Sequence, residues 1–282
     1  MKTAWFHDHK RVDVVPIDDR GFQYGDGLFE TIAIRGGRPR LWQFHIERLA
    51  GGCERLGIRM PAEQDLRDQL DVALDAGHAG AGNGTAKIIL SGGGGPRGYA
   101  RDSAIEPRTF VGVFSGQTLA RSAYEEGVDA MVCETPLAGP SVLAGLKTLN
   151  RLEQVLGRSE CVAANTFEGL MVDADERVIC GTMSNVFIVI GHTLVTPALT
   201  RCGVAGVMRR LVLDSFAAND QAVVVRDVAL AEVRQSDEVF LSNSQFGVVP
   251  LRRIEDRQLS PGRSTRACQR LLAAQGVQEC AL

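Results

Sequence analysis

The chain has 282 residues, of which 45% are hydrophobic, and its formal net charge is −3 at pH 7. This length exceeds the usual size of one domain, so two domains are expected. The weak acidic balance, without blocks of like charge, argues against a nucleic-acid-binding or membrane-surface protein. No apolar run approaches the length of a membrane span, and the first ten residues lack the apolar core of a signal peptide.

The seven cysteines are odd in number and widely scattered, and no pair has CxxC spacing. Such a distribution is typical of free thiols in a reducing compartment, and it predicts neither a disulfide framework nor a zinc site. We therefore expect a cytoplasmic protein that holds no metal.

The first half of the chain mixes strand and helix patterns. Residues 29–35 alternate, Gly36 and Gly37 form a turn, and residues 39–42 return, which predicts a β-hairpin. Apolar residues at helical spacing follow twice. In chain order the predicted elements are strands 29–35 and 39–42, helices 43–56 and 62–76, and strands 86–90 and 109–114.

A linker over residues 116–127 is expected to separate a small N-terminal domain, 1–115, from a larger C-terminal domain, 128–282. Both halves contain strands and helices, so two α/β or α+β domains are predicted. The elements predicted for the second half are strand 128–133, helix 150–164, strands 169–172, 185–189 and 193–196, helix 204–216, strands 222–225, 238–241 and 248–252, and helix 262–274.

Lys147 is the most informative single residue, because only four of the 31 basic residues are lysines. It lies in an apolar, glycine-containing segment, where a desolvated ammonium loses its proton more easily and can form a Schiff base, which arginine cannot do. A lysine whose head reaches water is the other interpretation, and the segment alone leaves both open. Lys87, at an alternating position of a predicted strand, is interpreted as structural.

A glycine-rich loop spans residues 91–99 and follows a predicted strand. A nucleotide-binding loop is disfavoured, because residues 100–107 make a poor helix and no GK[ST] motif follows. The glycines more plausibly give freedom around Arg97, a candidate carboxylate binder, although an ordinary solvated arginine fits equally well.

A second candidate site lies at the beginning of the amphipathic helix predicted over 204–216, where two glycines, Gly203 and Gly206, stand. Free backbone N–H groups and the positive end of a helix meet there, which favours a bound anion such as a phosphate monoester. A simple glycine turn is the alternative. Residues 241–244 close a strand with hydroxyl and amide groups that could add donors.

Taken in order, these segments resemble the fold-type IV pyridoxal-phosphate enzymes, also called the class IV aminotransferase family. The resemblance implies an α/β (α+β) fold of two domains, with pyridoxal 5′-phosphate between the domains, and a homodimer. The motifs that carry it are DRGFQYGDGLFET at 19–31, HIERL at 45–49, KTLNRLEQV at 147–155, GTMSNVF at 181–187, GVAGVMR at 203–209 and SDEVFLSNS at 236–244.

Within the family the chain is most similar to the aminodeoxychorismate lyases, through the RGY triplet at 97–99 and the run at 147–155. This similarity implies an elimination that converts 4-amino-4-deoxychorismate into p-aminobenzoate and pyruvate for folate biosynthesis. Two alternatives stay open: a D-amino-acid or branched-chain aminotransferase, and a cofactor-binding relative with weak or no activity.

The resemblance also assigns cofactor-binding residues. Lys147 would hold the cofactor as a Schiff base and move protons. Arg48 would bind the cofactor phosphate, together with the backbone N–H groups of Val207 and Met208 and the side chain of Ser244. Arg48 would thus be a buried ligand rather than an arginine on a helix surface.

Tyr24, Arg97 and Asn150 would face the substrate. Cys180 departs from the family pattern, because a glutamate usually stands there and holds the proton on the pyridine nitrogen. A neutral thiol, with a typical pKa of about 8.5, is a weak partner for a pyridinium. The departure therefore disfavours the aminotransferase more than the lyase, since aromatisation of the product assists elimination.

Overall fold

The chain forms two compact units in this computed structural model. The first unit is Met1–Gln117 with Leu146–Asn150, and the second is Thr118–Gly145 with Arg151–Leu282. The predicted domain limits and linker stay a prediction. The structure describes residues 4–76, 82–102, 104–116, 118–219 and 223–282.

The first unit is built on one antiparallel sheet whose centre is formed by three long strands. Among the described residues this sheet has six strands in the order β2-β1-β6-β5-β3-β4. Apolar residues alternate along its strands, so that Ile32 and Ile88 are fully buried. Its elements are β1 (Ala4–His7), β2 (Lys10–Val12), α1 (Arg20–Tyr24), β3 (Gly27–Arg35), β4 (Arg38–Pro39), α2 (Trp42–Leu56), α3 (Glu63–Ala76), β5 (Gly84–Ser91) and β6 (Arg108–Ser115).

One predicted strand of the first unit is wrong. The return strand of the hairpin was predicted over residues 39–42, but β4 ends at Pro39 and helix α2 starts at Trp42. Leu41 between them has a φ of 54°, which turns the chain out of the sheet and into the helix. The strands β1 and β2 and helix α1 were not predicted, because each is too short to show a period.

The second unit contains a larger mixed sheet. In the described part of the unit its order is β12-β11-β10-β13-β14-β7-β8-β9, with β15 paired to β14. Its elements are α4 (Arg121–Glu125), β7 (Val128–Val132), α5 (Leu152–Ala163), β8 (Glu168–Val172), β9 (Val178–Gly181), β10 (Asn185–Ile190), β11 (Thr193–Pro197), α6 (Val207–Ala217), β12 (Val223–Arg226), α7 (Leu230–Val233), β13 (Glu238–Asn243), β14 (Gly247–Ile254), β15 (Arg257–Gln258), α8 (Arg263–Ala274) and a 3₁₀ turn (Gln278–Cys280).

The mixed strand and helix content of both units confirms the predicted α/β (α+β) class. Helices α5 and α6 begin two and three residues later than predicted. The strand predicted over 222–225 is β12, although Ala222 lies outside the described residues. The predicted linker, 116–127, contains helix α4. Gln117, which is part of that linker, also lies outside the described residues.

All seven cysteines fall within the described ranges, where they are buried and form no disulfide. The reducing compartment inferred from their spacing stays a prediction. No helix in the described ranges combines the length and the apolar character needed to cross a membrane.

Candidate active site

Lys147 lies in the first unit, on a short segment that pairs with the beginning of β3. The Phe29 N–H donates to the Lys147 carbonyl and the Leu149 N–H donates to the Gly27 carbonyl, both at 3.0 Å. The Lys147 Nζ is 4.2 Å from the centroid of the Phe29 ring, whose face attracts a cation. The Lys87 Nζ is 5.0 Å from the same centroid. Backbone pairing and one aromatic ring therefore fix where the Lys147 amine lies.

Arg48 is held in one orientation by a buried carboxylate. Glu30 on β3 is 1% exposed. Its Oε1 accepts from the Arg48 Nε at 2.8 Å, its Oε2 accepts from the Arg48 Nη2, and the His45 Nδ1 lies 2.5 Å from the same Oε2. A two-point contact of this kind fixes the plane of the guanidinium.

The protonation states of this cluster follow from its burial. Burial raises the pKa of Glu30, but the charge of Arg48 and the hydrogen bonds from His45 and Arg48 outweigh burial and lower the pKa to about 2. Burial lowers the pKa of His45, so its ring is neutral and the Nδ1–H donates to Glu30. Among the described residues the His45 Nε2 has no hydrogen-bond partner. The cluster thus contains one carboxylate and one guanidinium.

The three residues predicted to face the substrate lie on neighbouring segments of the first unit. The Tyr24 Oη accepts from the Gly98 N–H at 3.2 Å, which places Tyr24 beside the loop that carries the exposed Arg97. The Asn150 Nδ2 donates to the Gly25 carbonyl at 3.1 Å. Gly25 has a φ of 65° and leaves no room for a side chain, because an added Cβ would lie 2.6 Å from the Asn150 Oδ1.

Cys180 lies in the second unit, near the end of β9, and is 6% exposed. Burial and then the negative charge of Glu168 raise the pKa of Cys180 to about 12. The thiol is therefore neutral at physiological pH, and the side chain offers no charge to a neighbouring group.

Glu168 organises the turn that follows Cys180. This fully buried carboxylate accepts from the Thr182 N–H at 3.0 Å, from the Thr182 Oγ1 and from the Ser184 Oγ at 2.7 Å. Sequence reasoning missed Glu168. Its only signal is an acidic residue directly before a buried strand, with a turn rich in hydroxyl groups downstream.

Helix α6 starts at Val207 with Gly206 as its N-cap, and no side chain caps it. The N–H groups of Val207 and Met208 therefore have no partner within the helix. The Asn185 Nδ2 donates to the Val204 carbonyl at 2.9 Å, and an added Cβ at Gly206 would collide with the Asn185 Oδ1. The positively polarised end of this helix therefore has no side-chain cap, and only glycine fits at position 206.

Ser244 lies in the turn between β13 and β14. The Asn243 Oδ1 accepts from the Gln245 N–H at 2.8 Å and from the Phe246 N–H at 2.9 Å, and this closes the turn. The Asn243 Nδ2 reaches the Met183 carbonyl at 3.3 Å. Two asparagines therefore connect the Ser244 turn, the 181–184 turn and the start of α6.

The predicted site residues fall into one group in each unit, and their individual roles stay a prediction. Sequence reasoning gave no role to Glu30, His45 or Glu168, which are buried polar residues that hold the predicted ones. The first group is Tyr24, Arg48, Arg97, Lys147 and Asn150, and the second is Cys180, Val207, Met208 and Ser244.

Comparison with known proteins gives consistent matches. Residues 27–254 match the family described as amino-transferase class IV. An aminodeoxychorismate lyase of Vibrio harveyi is 38% identical over 237 residues, which cover 84% of this chain and 86% of that protein. A D-alanine aminotransferase of Bacillus licheniformis is 27% identical over 271 residues, covering 95% and 93% of the two chains.

Among solved structures, a 4-amino-4-deoxychorismate lyase from Pseudomonas aeruginosa has a TM-score of 0.89 and 42% identity, covering 96% of this chain and 98% of that one. These matches confirm the fold-type IV architecture that the motifs predicted. The chain belongs to the class IV aminotransferase family, whose enzymes use pyridoxal 5′-phosphate.

Proposed function

We propose that this protein is a pyridoxal-phosphate-dependent lyase that converts 4-amino-4-deoxychorismate into p-aminobenzoate and pyruvate. The observation that carries the proposal is its likeness to two lyases, at 38% and 42% identity over most of each chain. The D-alanine aminotransferase matches at the lower identity of 27%. The amine that such chemistry requires is present at Lys147, beside Phe29.

Each unit offers groups that this cofactor, with its aldehyde, phosphate and pyridine nitrogen, requires. Lys147 offers the amine for the aldehyde, and Cys180 would lie beside the ring nitrogen. The uncapped start of α6 offers N–H groups for the phosphate. We propose that the phosphate is bound by Arg48, by the backbone N–H groups of Val207 and Met208, and by Ser244.

When bound, the cofactor supplies an aldehyde that condenses with amines and a conjugated ring that accepts electrons. The Lys147 Nζ would first hold the cofactor and then take the proton from the substrate ring carbon that bears nitrogen. Loss of this proton, with departure of the enolpyruvyl group, makes the ring aromatic. Arg97 would bind a substrate carboxylate, while Tyr24 and Asn150 would line the approach to Lys147.

Release of p-aminobenzoate from enzymatically generated aminodeoxychorismate tests the proposal. The purified chain with added pyridoxal phosphate should release it steadily, and release should depend on the cofactor. Bound cofactor without release would contradict the lyase. Accumulation of the pyridoxamine form after addition of D-alanine or a branched-chain amino acid, without an acceptor, would favour the aminotransferase instead.

Cys180→Glu should raise aminotransferase activity. The buried thiol is neutral, because its pKa is raised to about 12, and it cannot stabilise a proton on the pyridine nitrogen as a carboxylate would. We therefore expect the rate of pyridoxamine formation from an amino donor to rise about tenfold or more. A tenfold rise corresponds to a reaction barrier lower by about 1.4 kcal/mol. Stopped-flow absorbance of the cofactor measures this rate.

Cys180→Ser is the matched control, because a hydroxyl is small and neutral like the thiol. Its rate of pyridoxamine formation should stay near that of the unchanged protein. Thermal unfolding should show that both variants are folded. Equal rates in the glutamate and serine variants would then show that charge at position 180 does not limit the reaction.

We propose that the protein is a homodimer, supported by an apolar surface on the first unit. Val14, Ile17 and Phe22 are 77%, 75% and 65% exposed, and Val14 and Phe22 line a cavity of about 580 Å³. Exposed apolar patches of this kind mark protein interfaces.

Sedimentation velocity should give twice the mass of the chain, and Phe22→Glu should shift the measured mass toward that of the monomer. Gln64→Glu, which adds the same charge at an exposed polar position of α3, should leave the mass unchanged.

A further inference from the structure

Arg20, the first residue of α1, is a buried arginine outside both groups of predicted site residues. It is 4% exposed, so its guanidinium must be satisfied inside the protein. The Arg20 Nε donates to the Asp26 Oδ2 at 2.7 Å. The Nη1 donates to the carbonyl of Gly98 at 3.0 Å and more weakly to that of Ala100 at 3.4 Å, and the Nη2 donates to that of Tyr99 at 2.8 Å. The Arg20 side chain therefore donates to three consecutive backbone carbonyls of the loop that directly follows Arg97.

Two further contacts hold the same loop. The Tyr24 Oη accepts from the Gly98 N–H at 3.2 Å, and the Arg20 guanidinium carbon lies 5.2 Å from the centroid of the Tyr24 ring. At the far end of the loop the Arg101 Nη2 donates to the Asp26 Oδ1 at 2.8 Å. Asp26 thus joins the two arginines, and residues 98–101 are tied to it at both ends.

Helix α1 is itself fixed on the sheet, so Arg20 is a stable anchor. The Asp19 side chain caps the helix by accepting from the Phe22 N–H at 3.1 Å. The Ser91 Oγ donates to the same carboxylate at 2.7 Å. The Arg20 N–H donates to the Gly93 carbonyl at 2.8 Å. Both ends of the arginine, backbone and guanidinium, are therefore held by residues of the 91–100 segment.

We propose that Arg20 is a positioning residue that fixes residues 98–100 and thereby directs the exposed Arg97 side chain to a carboxylate of the substrate. The proposal rests on the function proposed above in taking Arg97 as the carboxylate binder. A guanidinium is required, because its planar fork donates to several acceptors at fixed angles, whereas an ammonium is a point charge with three rotating donors.

Arg20→Lys in the full-length holoenzyme tests the proposal. We expect the KM for aminodeoxychorismate to rise roughly 10- to 100-fold and kcat to change by less than about threefold, because uniform substrate binding is lost while the chemical groups stay in place. Cofactor absorbance and affinity should not change. Arg67→Lys is the matched control, since Arg67 makes an exposed ion pair with Asp71 on α3, and its KM should stay the same. An unchanged KM in Arg20→Lys would overturn the proposal.

Hydrogen exchange, which needs no turnover, provides an independent readout. Backbone amides of residues 92–102 should exchange faster in Arg20→Lys than in the Arg67→Lys control. Should Arg20→Lys fail to fold, Asp26→Asn decides, because it removes the charge to which the Arg20 Nε donates and so weakens the hold on the Arg20 guanidinium; faster exchange in this loop is expected. Unchanged loop exchange would overturn the proposal. If the unchanged protein releases no p-aminobenzoate, the proposed function fails, while the exchange data still decide whether Arg20 holds the loop.

Discussion

Replacing Lys147 with alanine is expected to abolish both turnover and covalent attachment of the cofactor. The rate of p-aminobenzoate release should fall by about 10³-fold, which is within the range expected when a general base is removed. Loss of the amine that holds the cofactor should lower the rate further. The backbone pairing of the 147–149 segment with β3 does not need the side chain, so the fold should survive. Borohydride reduction and peptide mass spectrometry should find the cofactor mass on the peptide that contains Lys147, and nowhere in the variant.

Lys87→Ala is the matched control for this experiment. The Lys87 Nζ lies 5.0 Å from the centroid of the Phe29 ring that Lys147 also contacts, so the two lysines have one aromatic neighbour in common. Lys87→Ala should keep the reducible attachment and most of the activity. Cofactor mass on the peptide with Lys87, or unchanged release in Lys147→Ala, would contradict the assignment of the Schiff base.

Glu30→Gln should weaken cofactor binding and lower the free energy of unfolding by about 3 kcal/mol, the lower end of what removing one partner of a buried ion pair costs. An amide has one oxygen, so it cannot accept from the Arg48 Nε, the Arg48 Nη2 and His45 as the carboxylate does. Urea unfolding measures the stability, and titration with pyridoxal phosphate measures the affinity. Asp71→Asn, in the exposed pair with Arg67, should cost less than about 1 kcal/mol. Equal costs in the two variants would contradict the role of the buried carboxylate.

The same carboxylate should make stability depend on pH. The pKa of Glu30 is about 2 in the folded chain against an ordinary value of 4.5, so the unfolded chain binds the proton more tightly. The contribution, about 3 kcal/mol, is fully present above pH 4.5 and is lost as the pH falls through 4.5 toward 2. The free energy of unfolding, measured at several pH values over that interval, should change less with pH for Glu30→Gln than for the unchanged chain.

The sequence was sufficient to identify the family and most helices and strands, because long periodic segments and motif spacing are local properties, and it also indicated Lys147 as the candidate for the Schiff base. The supports of the site were not predictable in the same way. Arg20 collects carbonyls that lie 78 to 80 positions away along the chain, and α1 has only five residues. Glu30 looks like a polar interruption of an apolar strand, and Glu168 like an acidic residue at the beginning of one, until the fold shows which donors surround them.

The first unit is discontinuous along the chain, since Leu146–Asn150 joins it after residues 118–145 have entered the second unit. At a synthesis rate of about 5–20 residues per second, the segment 147–149 becomes available for pairing with the start of β3 only on the order of ten seconds after β3 itself has been made. A nascent chain that has folded only its N-terminal sheet presents Lys87 beside Phe29, but not yet Lys147. The Lys147 amine reaches its place only after residue 150 has left the ribosome, so shorter, incomplete chains lack the amine that we propose holds the cofactor.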